Sequence, residues 1–155
     1  MISNATPIIC LSRINQLSLL KLIFKSVIIP SSVGKEVLIE DKPGYSGIVN
    51  AIKEGWLKVA EPRSKTDYGI GAGENAAINL ARERKDALIL DDAFAIKVTK
   101  AFDIPIIRTT TVIFIALQKK IVTRNQAINI LNQLIENGYY ISPREYSILL
   151  TRLKG

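Results

Sequence analysis

The chain of 155 residues contains no histidine. This absence excludes the Ser-His-Asp and Cys-His arrangements of nucleophilic hydrolases, and it excludes zinc sites built on imidazole ligands. Hydrolytic chemistry in this chain would therefore have to rely on carboxylates, on a bound metal, or on both.

The sequence is also poor in cysteine and in long apolar segments. Its single cysteine, Cys10, lies in the apolar run IICL, so no internal disulfide can form and a small buried side chain is expected. No apolar run approaches the roughly 18–20 residues that a membrane span requires, and the N-terminus lacks the features of a signal peptide. We expect one cytoplasmic domain over residues 1–155, long enough to bury a substantial core.

The positive charge is concentrated late in the chain. The formal net charge is +7, and residues 1–95 carry 12 Lys/Arg against 11 Asp/Glu, whereas residues 96–155 carry nine against three. A polyanion held by the basic part and cut at the acidic part would account for this asymmetry. A basic surface without a partner accounts for it equally well.

Short apolar runs alternate with segments of helical periodicity along the chain. Strands are predicted at about 1–4, 26–30, 56–59, 87–90 and 104–107. Helices are predicted at about 6–24 (broken near Asn15), 31–40, 48–55, 74–81, 93–101, 109–120 (capped by Thr109 or Thr110), 123–137 and 142–153. The polar, Gly-rich segment 61–73 is expected to be a mobile loop. Alternating strands and helices predict an α/β fold with a parallel sheet covered on both faces.

Polar residues lie where several of these elements begin or end: Asn4, Glu36, Glu74, Asp91 and Asp92. Carboxylates brought together repel each other, at roughly 4 kcal/mol for two unit charges about 4 Å apart, unless a cation lies between them. Mg²⁺ or Mn²⁺ suits such oxygen ligands. Each residue also has an ordinary structural interpretation, namely a helix cap, a first-turn acid or a solvated helix face.

Two nucleotide-binding motifs are excluded. LILDD resembles a Walker B strand, but GxxxxGK[ST] occurs nowhere in the chain. GIGAGE at 69–74 fails the GxGxxG spacing because Glu74 occupies the last position, where it would repel a pyrophosphate.

Several segments, taken in order, resemble the VapC-like branch of the PIN-domain proteins, long catalogued as a domain of unknown function. They are SNATPII (3–9), VIIP (27–30) with Val33, Glu36 and Val37, GAGENAAI (71–78), LILDDAFA (88–95) and GYYIS (138–142). The resemblance covers nearly the whole chain, and the GxGE and LILDD segments at this separation are its most specific part.

The resemblance implies a three-layer, Rossmann-like α/β/α sandwich with a central parallel sheet, and a Mg²⁺- or Mn²⁺-dependent endoribonuclease. Many members are toxins of toxin–antitoxin pairs, so it also implies a cognate antitoxin partner, and many form homodimers.

The family's site residues can be matched onto this sequence. Asn4 stands where the first acid usually stands, Glu36 matches the second, Glu74 the third and Asp92 the fourth. The matched metal ligands are therefore Asn4, Glu36, Glu74 and Asp92, and Asp91 could replace or assist Asp92. Thr6 matches a hydroxyl residue that supports the first acid.

Basic residues of the C-terminal part would hold the phosphates of RNA, in single-stranded or looped form. Arg108 is the first candidate because it follows a predicted strand, and Lys97 and Lys100 are further candidates. Asn4 brings no negative charge, so weaker metal binding is expected. A silent PIN-like protein that binds RNA or a partner protein is therefore the alternative.

Overall fold

The computed structural model describes all 155 residues, which fold around one sheet of five parallel strands. The strands are β1 (Ile2–Ser3), β2 (Val27–Ile29), β3 (Leu57–Val59), β4 (Leu88–Ile89) and β5 (Ile106–Ile107). Their order is β3-β2-β1-β4-β5, and every neighbouring pair is parallel. The predicted parallel sheet is thus confirmed.

Nine helices connect and cover the strands. They are α1 (Ala5–Arg13), α2 (Ser18–Phe24), α3 (Ser31–Val37), α4 (Tyr45–Glu54), α5 (Ala72–Arg84), α6 (Ala93–Lys100), α7 (Thr109–Gln118), α8 (Arg124–Glu136) and α9 (Pro143–Lys154). None of them is both long enough and apolar enough to cross a membrane.

Two apolar clusters, one on each face of the sheet, make the fold a three-layer sandwich. The larger cluster joins Val27 and Ile29 of β2 to α1–α4 and α7–α9, and the smaller joins Leu88 of β4 to α5 and α6. Because successive strand residues point to opposite faces, Leu88 and Ile89 enter different clusters. The predicted α/β/α architecture follows from this alternation.

Helix boundaries were predicted less accurately than helix positions. The break near Asn15 is confirmed, since Asn15 has a φ of 58° between α1 and α2. However, α3 ends at Val37 and does not reach Glu40, and α5 begins at Ala72, ahead of the predicted start.

Local hydrogen bonds explain two further differences. Arg108, not a threonine, precedes the first turn of α7, because the Thr109 hydroxyl donates to Asp91 instead. The segment predicted as a mobile loop is fastened to α5, where Asn75 Oδ1 accepts from the Tyr68 amide and Asn79 Nδ2 donates to the Thr66 carbonyl, both at 3.0 Å.

Candidate active site at the carboxyl edge of the sheet

The carboxyl ends of β1 and β4 meet at the centre of the sheet. The chain winds from β1 through β2 to β3, and then crosses to place β4 on the other side of β1. Crevices at such a reversal of strand order are the usual ligand sites of open parallel sheets. Asn4 follows β1 there, and its backbone amide donates to the Ile89 carbonyl at 3.0 Å.

The amide side chain of Asn4 is buried without a hydrogen-bond partner. Asn4 precedes the first turn of α1 but does not cap it, and the residue is only 5% exposed. Its Oδ1 atom has no partner in the protein. Because a buried polar atom without a partner is costly, this oxygen is suited to a ligand that accepts its lone pair.

Glu36 lies close to this oxygen because α5 presents a glycine to it. A Cβ built on Gly73 would collide with Oε1 of Glu36 and would lie 3.5 Å from Oδ1 of Asn4. Gly73 is buried where α3 and α5 pack together. The missing side chain therefore leaves room for the Glu36 carboxylate beside the Asn4 amide.

Glu74 follows Gly73 in the first turn of α5, where the positive end of the helix favours an acid. Its carboxylate folds back toward the helix start, since a Cβ on Gly71 would lie 2.5 Å from its Oε2. Glu36 is exposed as a whole residue, but partial burial of its carboxylate, and secondly the charge of Glu74, raise its pKa above the ordinary value. The two carboxylates therefore repel each other.

The structure does not bring the predicted acids Glu36, Glu74, Asp91 and Asp92 into one compact cluster. No three acidic or cysteine side chains lie together in a group that could hold a metal ion. Asp92 is exposed, and its Oδ1 accepts from the Ala95 amide at 2.8 Å, so it caps α6. The helix-cap interpretation of this residue is confirmed.

Asp91 has a different environment from Asp92. Its Oδ1 accepts from the Thr109 amide at 3.0 Å and from the Tyr139 hydroxyl at 2.6 Å, and its Oδ2 accepts from the Thr109 hydroxyl at 2.7 Å. These bonds bind the carboxylate to the start of α7. Asp91 is therefore held by protein donors, and its role beside Asp92 as a metal ligand stays a prediction.

The remaining predicted residues lie at different distances from the edge. Arg108 follows β5 directly, and its Nη2 approaches the Asp91 carbonyl at 3.5 Å. Lys97 and Lys100 are exposed in the last turn of α6, about one to two turns beyond Asp92. Thr6 is exposed in the first turn of α1.

Two site features escaped the sequence predictions. Tyr139 lies between α8 and α9, far along the chain from Asp91. Nothing in the sequence around Tyr139 indicates its hydrogen bond to Asp91. The role of Gly73 depends on the packing of α3 against α5, although a glycine at a helix start before an acid is a visible signal.

The three oxygen donors suit a hard divalent cation, although only two of them carry negative charge. Two carboxylates, Glu36 and Glu74, and the unpartnered amide oxygen of Asn4 are all oxygen donors of the kind that Mg²⁺ and Mn²⁺ prefer. A cation there would offset the repulsion between the Glu36 and Glu74 carboxylates and would give Oδ1 of Asn4 a partner.

Comparison with known proteins identifies one family. A family model described as a PIN domain matches residues 1–155, the whole chain. Neither the curated proteins nor the solved structures contain a significant match.

Proposed function

Because the chain belongs to the PIN-domain family, whose members are generally nucleases that use divalent metal ions, we propose that it is a metal-dependent endoribonuclease hydrolysing RNA phosphodiester bonds. The observation that carries this proposal is the buried Oδ1 atom of Asn4, unpartnered and close to Glu36, at the carboxyl edge of the sheet. If Asn4 had only a structural role, its buried oxygen would be expected to accept a hydrogen bond from the protein.

Asn4, Glu36 and Glu74 are the residues that would hold a Mg²⁺ or Mn²⁺ ion. When bound, such an ion lowers the pKa of water and stabilises charge on the leaving oxygen. The Asn4 oxygen and the two carboxylates would bind the ion from three elements, namely the end of β1 for Asn4, α3 for Glu36 and α5 for Glu74.

Asp92 is the acid we assign to proton transfer. Its Oδ1 is fixed by the Ala95 amide, whereas the residue is otherwise exposed to solvent. Its second oxygen can accept a proton from an attacking water molecule as the water oxygen bonds to phosphorus. The leaving ribose oxygen then takes a proton from solvent.

Arg108 is the first candidate for holding RNA phosphates, since it lies at the same edge as Asp92. Lys97 and Lys100 extend the basic surface along α6. Single-stranded or looped RNA is the substrate class we propose, because its backbone is accessible and its bases can splay.

A cleavage assay tests the proposal with a matched variant. Purified protein should cut mixed single-stranded RNAs with Mg²⁺ or Mn²⁺ and stop with EDTA. Glu74→Gln should lower the rate by at least tenfold, because the neutral amide binds the ion less tightly. Glu145→Gln is the control, since Glu145 is also a first-turn acid, in α9. Equal cleavage by the two variants would refute the role of Glu74.

The second candidate is a PIN-like protein that binds RNA or a partner protein without cutting. Asn4 favours it, because an amide supplies no charge to the ion. Asn4→Asp should tighten Mn²⁺ binding in isothermal titration calorimetry, by about tenfold for roughly 1.4 kcal/mol of added attraction. Unchanged affinity would mean that residue 4 does not touch the ion. Cleavage gained only by this variant would support the silent alternative for the natural chain.

We further propose a toxin role, with a cognate antitoxin and a homodimeric state in the cytoplasm. The family resemblance supports this proposal. Ile148 of α9 is 50% exposed and offers apolar surface, whereas Leu149 packs against the core. Growth arrest on expression, relieved by the product of an adjacent gene, tests the role, and light scattering tests the dimer.

A further inference from the structure

The Asp91 carboxylate joins three segments that are distant in sequence. It follows β4, it binds the backbone and hydroxyl of Thr109 at the start of α7, and it accepts from Tyr139 between α8 and α9. The hydroxyl contacts are short, at 2.7 Å and 2.6 Å, as expected for bonds to an ionised acceptor. The C-terminal helices are thus tied to the carboxyl edge of the sheet.

Burial keeps the tyrosine that donates to this carboxylate in its neutral form. Tyr139 is 4% exposed and the Asp91 side chain 10%. Burial, and secondly the charge of Asp91, raise the pKa of Tyr139, so its hydroxyl keeps its proton. Three donated hydrogen bonds compensate Asp91 for its lost solvation.

Arg108 completes the group from the solvent side. Its Nε lies 3.9 Å from Oδ1 of Asp91, and its Nη2 donates to the Asp91 carbonyl at 3.5 Å. The Arg108 side chain is still 40% exposed, although its Nε atom is buried beside Asp91 and has no hydrogen-bond partner. One side of the guanidinium is therefore held against residue 91, and the exposed part of the side chain lies at the sheet edge that also carries Asp92.

We propose that Asp91, Tyr139 and Thr109 are positioning residues that hold the Arg108 guanidinium as an anchor for a phosphate of the RNA substrate. This inference rests on the proposed ribonuclease function and gives Asp91 a role other than metal binding. An oriented guanidinium binds a phosphate through two parallel hydrogen bonds and loses little side-chain entropy in doing so.

The role predicts a defect in substrate binding. Tyr139→Phe removes one hydrogen bond to Asp91 but keeps the buried ring, so Arg108 loses part of its orientation. We expect KM for a short single-stranded RNA to rise about three- to tenfold with kcat nearly constant, because Arg108 keeps its charge and loses only part of its orientation. Tyr146→Phe is the matched control, because it also removes one tyrosine hydrogen bond from the C-terminal helices. The hydroxyl of Tyr146 in α9 donates at 2.7 Å to Asn132 in α8.

A double-mutant cycle separates positioning from general destabilisation. In the Arg108→Gln background, Tyr139→Phe should add little to KM, since the group that it positions has gone. If Tyr139→Phe raises KM in that background by the same factor as in the wild type, the proposal is overturned. So would a KM shift no larger in Tyr139→Phe than in Tyr146→Phe.

An RNA-free measurement keeps the two proposals distinguishable. The Arg108 Nε–H should exchange slowly with solvent in nitrogen-15 NMR of the wild type and faster in Tyr139→Phe, whereas Tyr146→Phe should leave it unchanged. Equal exchange in all three proteins would refute the positioning role whatever the protein does to RNA. Wild-type protein that neither binds nor cuts RNA would refute the ribonuclease function, and with it the phosphate anchor.

Discussion

Asp91 and Asp92 are chemically identical neighbours with different roles. Asp91 binds Thr109 and Tyr139 and is mostly buried, while Asp92 caps α6 at the surface. Successive residues leave the end of β4 in different directions, so each carboxylate meets different partners. The sequence alone does not indicate which of the two aspartates is buried and which one caps α6.

Glu36 should make stability depend on pH. Its folded pKa is raised, so between its unfolded pKa, near 4.5, and the higher folded value the native state binds more protons than the unfolded chain. In EDTA, its contribution to the free energy of unfolding therefore falls as pH rises through that window. Glu36→Gln should remove this fall in stability, and the effect should be small because Glu36 is exposed to solvent.

Urea unfolding of wild type and Glu36→Gln at pH 4 and pH 7 measures the effect. The variant should gain stability relative to wild type at pH 7. Glu74→Gln serves as the control, because removing the neighbouring charge should shrink the pH-dependent difference. A larger relative gain at pH 4 would contradict the sign of the shift.

At the scale of elements, the close approach of α5 to Glu36 depends on Gly73. Two helices and the end of β1 meet there, and each carries one of the proposed oxygen donors: Asn4, Glu36 and Glu74. A side chain at residue 73 would occupy the space that the Glu36 carboxylate uses.

Gly73→Ala should weaken metal binding without unfolding the protein. The new Cβ meets the flexible end of Glu36, which can move aside at little cost, and alanine favours helix by up to about 1 kcal/mol. Mn²⁺ affinity should fall at least severalfold in calorimetry, while the melting temperature is kept or raised.

Gly34→Ala is the matched control within α3. A Cβ at Gly34 has no neighbour within 4 Å, so this variant should gain roughly 0.5–1 kcal/mol of stability from helix propensity alone. Its Mn²⁺ affinity should equal that of wild type. An equal loss of affinity in both variants would argue against the specific role of Gly73.

At the scale of the whole molecule, the excess positive charge of residues 96–155 should make RNA binding sensitive to salt. Arg108 and Lys119 lie at opposite ends of α7, about 15 Å apart along the helix. With EDTA present, log affinity for single-stranded RNA should fall linearly with log salt. Arg108→Gln should reduce the slope by roughly 0.7, the value for one lost phosphate contact on a single strand.

Lys119→Gln removes the same charge at the far end of α7 and should leave the slope nearly unchanged. Fluorescence anisotropy across a salt series measures both variants. Equal reductions in slope would indicate that RNA is attracted to the whole basic surface and that Arg108 makes no specific phosphate contact.

The sequence by itself determined the α/β class, the parallel sheet, the family and the position of Asn4 at its edge. These follow from local periodicity, from apolar runs flanked by polar residues and from ordered motifs, all of which are readable within short windows. Only the tertiary structure decided that Asp91 contacts Arg108 and Tyr139, that Gly73 makes room for Glu36, and that Asn4 Oδ1 is left without a partner. Those properties depend on contacts between segments far apart in the chain, whose geometry is fixed only when the helices pack on the sheet.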